Sequence, residues 1–533
     1  MTGPVSRRSH SEATRLLCAG AYLDNDFRGA VIDHLVRHEE RPVAPSLGVD
    51  VVPVLAYALR ARRREAQTGV TLLFFWVAFI VFDYISGDSL QSVPMAGAFG
   101  YAVLCFLLWS TRRSVGRGVY AVDRTALRKA VPGQRGRVMT LIPFGVRLLA
   151  VAYWVLALLG LVLAADVHWP AVVFPLLLTL PIWEYRAHVT GVMRRELARG
   201  VFGDLPRVAL PSNAHYRRIG ESLDREQYAA LTIYDPLRPF IGVGLPYEPW
   251  SFALDLKRRA SAEPGLGPLT GARVIELIRP RLEALRDSAA ATSRDRLKDL
   301  EIEEFVYLPV GAPRAEIPYD RQTVEQHLHD AVDEGGEARR HFLRIRVGGR
   351  DEQIGVTVLV RVHTQGGMLV LEVVPHVLTP VKPEYRAADV VAGRTHDGAA
   401  RDAVRAVLTA PSAGFAAGVC LVRTVVAVFG TWLADPERAL PDAPETSVRE
   451  LGSTGEVSLF QEMDISRYVK TIQDRITGGV RDALADQGFE SDQFEKQVVQ
   501  VSEGSVFIGS MSGGALAVGS GAKARHVVGS DAK

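Results

Sequence analysis

The chain has 533 residues, a net charge of +2 and 23% charged side chains. That length is too great for one ordinary soluble core and calls for two or three units, and the near-neutral balance gives no global attraction to nucleic acid. A mean hydropathy of +0.09 beside so many charges requires some segments to be very apolar.

The N-terminus, "MTGPVSRRSHSEATRLL", is basic but has no apolar run before a small-residue cleavage site, so no cleaved secretory signal is expected. Residues 1–64 read as a cytosolic helical arm. Two short helices are expected first: Phe27, Val31 and Leu35 recur at helical spacing, with Asp24 or Asn25 as cap of the second. "VDVVPVLAYALRARRR" predicts a third, apolar on one side and ending in arginines, suited to a membrane surface or to packing on the cytosolic domain.

Residues 65–186 read as a membrane domain of two helical hairpins. Spans are expected at about 67–86, 89–111, 146–165 and 167–185. Each carries an apolar run with almost no charge, and a bilayer core needs roughly 20 such residues, within a range of about 17–25. Pro170, Pro175 and Pro181 shorten or kink the last. Arg60, Arg62, Arg63 and Arg64 precede the first span, eight Lys or Arg fill the loop 112–146, and Arg186, Arg194, Arg195 and Arg199 follow the fourth. The positive-inside rule then puts both termini and the central loop in the cytoplasm, with the chain in the inner (plasma) membrane. The bilayer is the expected partner, and the basic loop is suited to anionic lipid headgroups.

Residues 200–395 predict a cytosolic α+β domain with a mainly antiparallel sheet. Strands are expected at Ala230–Asp235, Trp250–Arg258, Glu301–Val310, up to Val347, Gln353–His363 and Met368–Leu378, the last two joined by a "TQGG" turn. Near-continuous Val, Leu and Ile runs suggest strands buried on both faces. Helices are expected after a cap at Thr270, with Pro280 as a kink or break, and at Asp320–Asp333. A helical segment, 396–435, follows. Its part 412–435 is long enough to span but holds Arg423 near its centre, which favours a buried or interfacial helix. Then come a linker, 436–461, and a helical module, 462–502, with one helix capped at Asp464 or Ser466 and ended at Gly488 and a second short helix capped at Ser491. Residues 503–533 predict a Gly-rich β tail: Val506 and Ile508, then Leu516 and Val518, alternate around "SMSGG". No P-loop spacing is present, and the tail is expected to dock on a sheet edge of its own domain or of a second copy, giving a homo-oligomer.

"IYDPLRPFIGVGLPYEPWSFALDLKR", "EEFVYLPVGA" and "VLTPVKPEYRAADVV" resemble, with the Gly-rich tail, a family of actinobacterial-type multi-pass membrane proteins. The resemblance covers residues 10–525 in outline and implies no activity, cofactor or catalytic residue.

Two loops are candidate ligand or partner contacts. In the first, Gly242 and Gly244 lie near Arg238 and Trp250, where backbone N–H groups and a guanidinium could receive an anion; a glycine connection between paired strands explains the same residues. In the second, Lys382, Tyr385 and Arg386 follow a strand, as a partner or headgroup contact or as a proline-stiffened exit loop. His327 and His329 diverge on a helix, while His341, His363 and His376 fall on strands and converge only in a favourable register. No G-x-S-x-G, H-E-x-x-H, Walker A or kinase pattern occurs, so no catalytic, cofactor or metal residue is assigned. The expected function is a membrane-anchored, non-enzymatic scaffold or sensor whose cytosolic domain binds a protein, lipid or small ligand. The alternatives are an oligomeric membrane effector or transporter-like pore, and a membrane enzyme without a recognisable motif.

Overall fold

The computed structural model describes residues 10–86, 96–110, 151–156, 158–159, 162, 169–260, 267–292, 295–333, 336, 338–348, 354–393, 399–434, 440–491 and 494. The basic loop 112–146 and the Gly-rich tail lie outside them, as does most of the third expected span. The longer helices are α1 (Glu12–Leu23), α2 (Asn25–Ile32), α3 (Val51–Ser86), α4 (Ala96–Ser110), α5 (Pro170–Arg195), α6 (Ala214–Gln227), α7 (Gly271–Thr292), α8 (Arg321–Ala331), α9 (Ala399–Ala434) and α10 (Leu459–Asp486). The strands are β1 (Leu231–Tyr234), β2 (Leu245–Pro246), β3 (Trp250–Asp255), β4 (Glu301–Pro309), β5 (Arg340–Gly348), β6 (Gly355–Gln365) and β7 (Met368–Leu378). The chain forms two compact units. A helical unit holds residues 1–227, 381–441 and 445–454, and a sheet unit holds the rest.

In the helical unit, Ser11 caps α1 and Asp24 caps α2, its carboxylate accepting from the N–H groups of Asp26 and Phe27. Both helices pack on α3 through Leu16, Leu17, Phe27 and Val31, all nearly inaccessible to solvent. Three ionic clusters tie distant segments together. Arg15 donates to Asp389 at 2.8 Å and to the Leu197 carbonyl at 2.7 Å. Arg207 donates to Asp50 at 2.6 Å and also pairs with Asp224. Arg28 pairs with Glu65, both nearly fully buried.

The arginine-ended helix and the first expected span are one helix of 36 residues, α3. Nothing between Arg64 and Gln67 breaks a helix, and Glu65 turns inward onto Arg28. Among the described residues, Val51–Phe82 is the one helix both long and apolar enough to cross a membrane. Four spans are therefore met at one helix. The described part of α4 has 15 residues, and α5 meets charged positions from Glu184 onward. Pro175 and Pro181 lie inside α5, which remains one helix of 26 residues.

α9 also runs unbroken, through Pro411, and packs on α3, α4 and α5. Ala410, Ala413, Ala416 and Ala417 are buried along one stripe. A Cβ at Gly69 of α3 would come within 3.3 Å of the Ala417 carbonyl, so small residues set this helix–helix approach. Arg423, 66% exposed, lies 3.8 Å from Asp26 of α2.

The sheet has the order β1-β4-β5-β6-β7-β2, with β3 also paired to β7. All pairings are antiparallel except β1 with β4, so the sheet is mixed. β6 and β7 meet at Gly366 and Gly367, both at positive φ, as a tight hairpin turn requires. One face carries Leu343, Ile345, Val358, Val360, Leu371 and Val373 against α7 and α10. The other carries Phe305, Tyr307, Phe342 and Leu359. β5 and β6 are therefore buried on both faces, as their apolar runs predict. β2, two residues long, has no alternation for a sequence to show.

Thr270 accepts from the Arg273 N–H at the start of α7, and Pro280 sits inside that helix without ending it. α8 is capped by Asp320. α10 begins earlier than expected: its cap is Ser458, in a capping box with Gln461, rather than Asp464 or Ser466. Gly488, at φ 70°, follows its end.

Candidate functional site

The two candidate loops fall in different units. In the sheet unit, Gly242 and Gly244 both have positive φ. A Cβ at Gly244 would stand 2.3 Å from the Val377 carbonyl of β7, so close backbone approach requires glycine there. Between Arg238 and these glycines, Phe240 packs edge-on against Tyr307, Phe342 and His376, closing one face of the sheet. Arg238 is exposed in the turn beside Asp235. Trp250 lies parallel to Phe252, 5.7 Å away, as part of the packing around α10.

In the helical unit, Lys382 and Tyr385 clamp the N-terminal arm. The Tyr385 hydroxyl donates to Asp24 at 2.9 Å, and Lys382 lies 3.3 Å from the same carboxylate. The Tyr385 ring fills the space over Gly20, where a Cβ would be 2.5 Å away. Arg386 is exposed. The structure brings Lys382 and Tyr385 together on Asp24 and leaves Arg386 out of that contact, while the first loop belongs to the other unit.

The strand histidines do not converge. His341 shares a face with Leu343, and its Nε2 lies 3.2 Å from Glu304. His363 and His376 share the other face, but His376 pairs with Thr357, six residues along β6 from His363. That separation is about 20 Å at the strand rise.

A different cluster forms a pocket of about 350 Å³ in the helical unit, where α3 passes the end of α5. It is lined by Arg60, Arg63 and Arg64 of α3, Gln67 one turn on, and His188 and Glu196 from α5 and its C-cap. Buried Tyr22 of α1 and Val192 close its floor. Three guanidinium groups thus face one carboxylate. Glu196 is itself engaged, accepting from the Tyr57 hydroxyl at 2.9 Å and from Arg60 at 3.2 Å. Arg64 reaches Gln67 at 3.5 Å. Arg63 is exposed and has no carboxylate in ion-pair range among the described residues. Burial, then the nearby Arg64, holds His188 below the usual imidazole value, so its ring is neutral near pH 7. Burial, then Glu196, pushes Tyr22 up to about 12 and keeps its hydroxyl protonated.

The basic run Arg60–Arg64 is visible in the sequence, but as a topology signal. That His188, Glu196 and Tyr22 join it depends on helix phase and on the packing of α1, which no local pattern reports. Arg62 belongs to the same run and does not line the pocket.

Residues 249–512 match the family model of the AbeC-like domain. The matched stretch begins at the start of β3 and includes Val381–Pro441, which folds with the helical unit. Over that stretch the chain is similar to a domain family without assigned chemistry, in keeping with the resemblance drawn from the sequence. The match bears on neither a membrane nor an actinobacterial source, and it excludes the pocket residues. No curated protein and no solved structure matches the chain.

Proposed function

We propose that this chain is a multi-pass protein of the cytoplasmic membrane whose sheet unit is a cytosolic binding module, a scaffold or sensor. The carrying observation is an outward apolar surface shared by several helices. On α3, Val70, Leu73, Phe74, Val77 and Ile85 are 52–70% exposed. Phe99 of α4 is 71% exposed, and Leu180 and Trp183 of α5 are about half exposed. Water-facing helices carry polar residues at such positions. Large apolar side chains this exposed on three helices that pack on one another suit lipid.

Charge supports the same orientation. The outward apolar residues of α3 start at Val70, after Arg60, Arg63 and Arg64, and those of α5 stop at Trp183, before Arg186, Arg194 and Arg195. One end of the apolar surface is therefore basic, as the cytosolic side of a membrane protein is. Aromatic Trp183 stands at that boundary.

Membrane fractions from cells expressing the full chain test the membrane part. After alkaline carbonate washing, the chain should stay in the pellet and leave it only in detergent. Release into the carbonate supernatant would refute membrane integration.

A further inference from the structure

We propose that the Arg60–Arg63–Arg64 pocket is a binding site for a phosphate ester, presented by an anionic lipid headgroup or carried by a soluble molecule. The lipid source rests on the membrane reading above; the phosphate chemistry does not.

The pocket has the volume, charge and donors for such a group. About 350 Å³ exceeds what one phosphate needs and leaves room for a glycerol or sugar substituent. Guanidinium forks match phosphate oxygens bidentately, better than any other side chain. Arg60 is held by Glu196 at 3.2 Å, and its head lies 5.5 Å from the centre of the Tyr57 ring. It therefore acts as a fixed wall. Arg63 and Arg64 are the cations left to meet an incoming anion. Gln67 adds an amide donor, and neutral His188 can donate a ring N–H without adding charge.

Position favours a lipid source. Gln67 is one turn before Val70, the first outward apolar residue of this helix. Trp183 is about one and a half turns before His188 on α5, and it too faces outward. A headgroup at that level would lie beside the pocket with its acyl chains against the apolar faces of α3 and α5. The same site offers no matching pair of carboxylates for the choline of a zwitterionic headgroup, so an uncompensated anion is preferred.

Calorimetric titration of the full chain in neutral detergent tests this, with dioctanoylphosphatidylglycerol and inorganic phosphate as separate probes. Saturable binding is expected, weakened roughly thirtyfold in R63A/R64A and roughly fivefold in R63Q, at one surface-charge interaction per arginine. Both arginines are exposed, so the variants should keep the wild-type thermal midpoint. K298A/R321A, which removes two exposed charges from the sheet unit, should bind like wild type. Tighter binding of the lipid by tenfold or more assigns the site to a headgroup; equal binding of both probes assigns it to a soluble phosphate ester. Absence of binding by either probe, or unchanged affinity in R63A/R64A, would overturn the proposal. Carbonate extraction separates the two claims: a chain released from membranes that still binds phosphate through Arg63 and Arg64 defeats only the membrane reading.

Discussion

His376 shows how a single residue's role depends on what packs over it. It is 3% exposed, its Nδ1 lies 3.1 Å from the Val374 carbonyl, and the Phe240 ring covers it. Burial lowers its pKa to about 4, against a smaller opposing effect of the Val374 carbonyl. The unfolded chain, with a value near 6.5, therefore binds the proton first as pH falls. The stability His376 contributes is fully present above about pH 6.5 and is lost as pH drops toward 4, by up to about 3 kcal/mol. Hydrogen exchange of β6 and β7 amides at pH 7.5, 6 and 5 should show protection falling across this window, and H376F should flatten the fall. The same slope in H376F would show that other groups govern it. The sequence placed His376 on its strand but could not choose its face or its cover, because a one-residue change of register reverses every side chain. Gly244 was legible as a turn-former, yet the reason for it, the Val377 carbonyl 2.3 Å from where a Cβ would be, is a contact between residues far apart in sequence.

Elements were legible where one local signal sufficed. β7 runs over Met368–Leu378, as expected, because the Gly366–Gly367 turn sets its start and a Val- and Leu-rich run, broken only by Glu372, Pro375 and His376, carries it to Leu378. α10 was misplaced at its start because Asp464 and Ser466 also have capping chemistry, whereas the reciprocal Ser458–Gln461 pair lies seven residues upstream of Ile465, the first buried apolar residue of the helix. For α9, the central arginine pointed away from a spanning role. In the structure Arg423 lies beside Asp26 of the N-terminal arm, and the alanine stripe before it meets α3, α4 and α5. Ala417 is fully buried at the close approach to Gly69. A417L should force α3 and α9 apart, costing about 1–3 kcal/mol by overpacking. The thermal midpoint of the detergent-solubilised full chain should fall, while A417S stays near wild type. An unchanged midpoint in A417L would show that α9 is not held by this contact.

At the scale of the molecule, the chain folds as two units whose segments interleave. The stretch similar to the AbeC-like domain contributes to both, since Val381–Pro441 belongs with the N-terminal helices. The ionic contacts of Asp389 and Lys382 with Arg15 and Asp24 explain that return, but they join residues over 350 positions apart and leave no local trace. What composition did show was segregation: apolar runs, arginines at their ends, and a separate strand-rich region. The proposal of a membrane protein with a basic phosphate pocket at its cytosolic boundary rests on that segregation being a lipid boundary. Cysteine labelling at Phe74, 68% exposed and one turn inside the apolar surface, measures this directly. In cytosolic-side-out vesicles, with Cys420→Ser as background, Arg63→Cys should react with a membrane-impermeant maleimide, and Phe74→Cys should react only after detergent is added. Equal labelling of the two sites in intact vesicles would contradict the account.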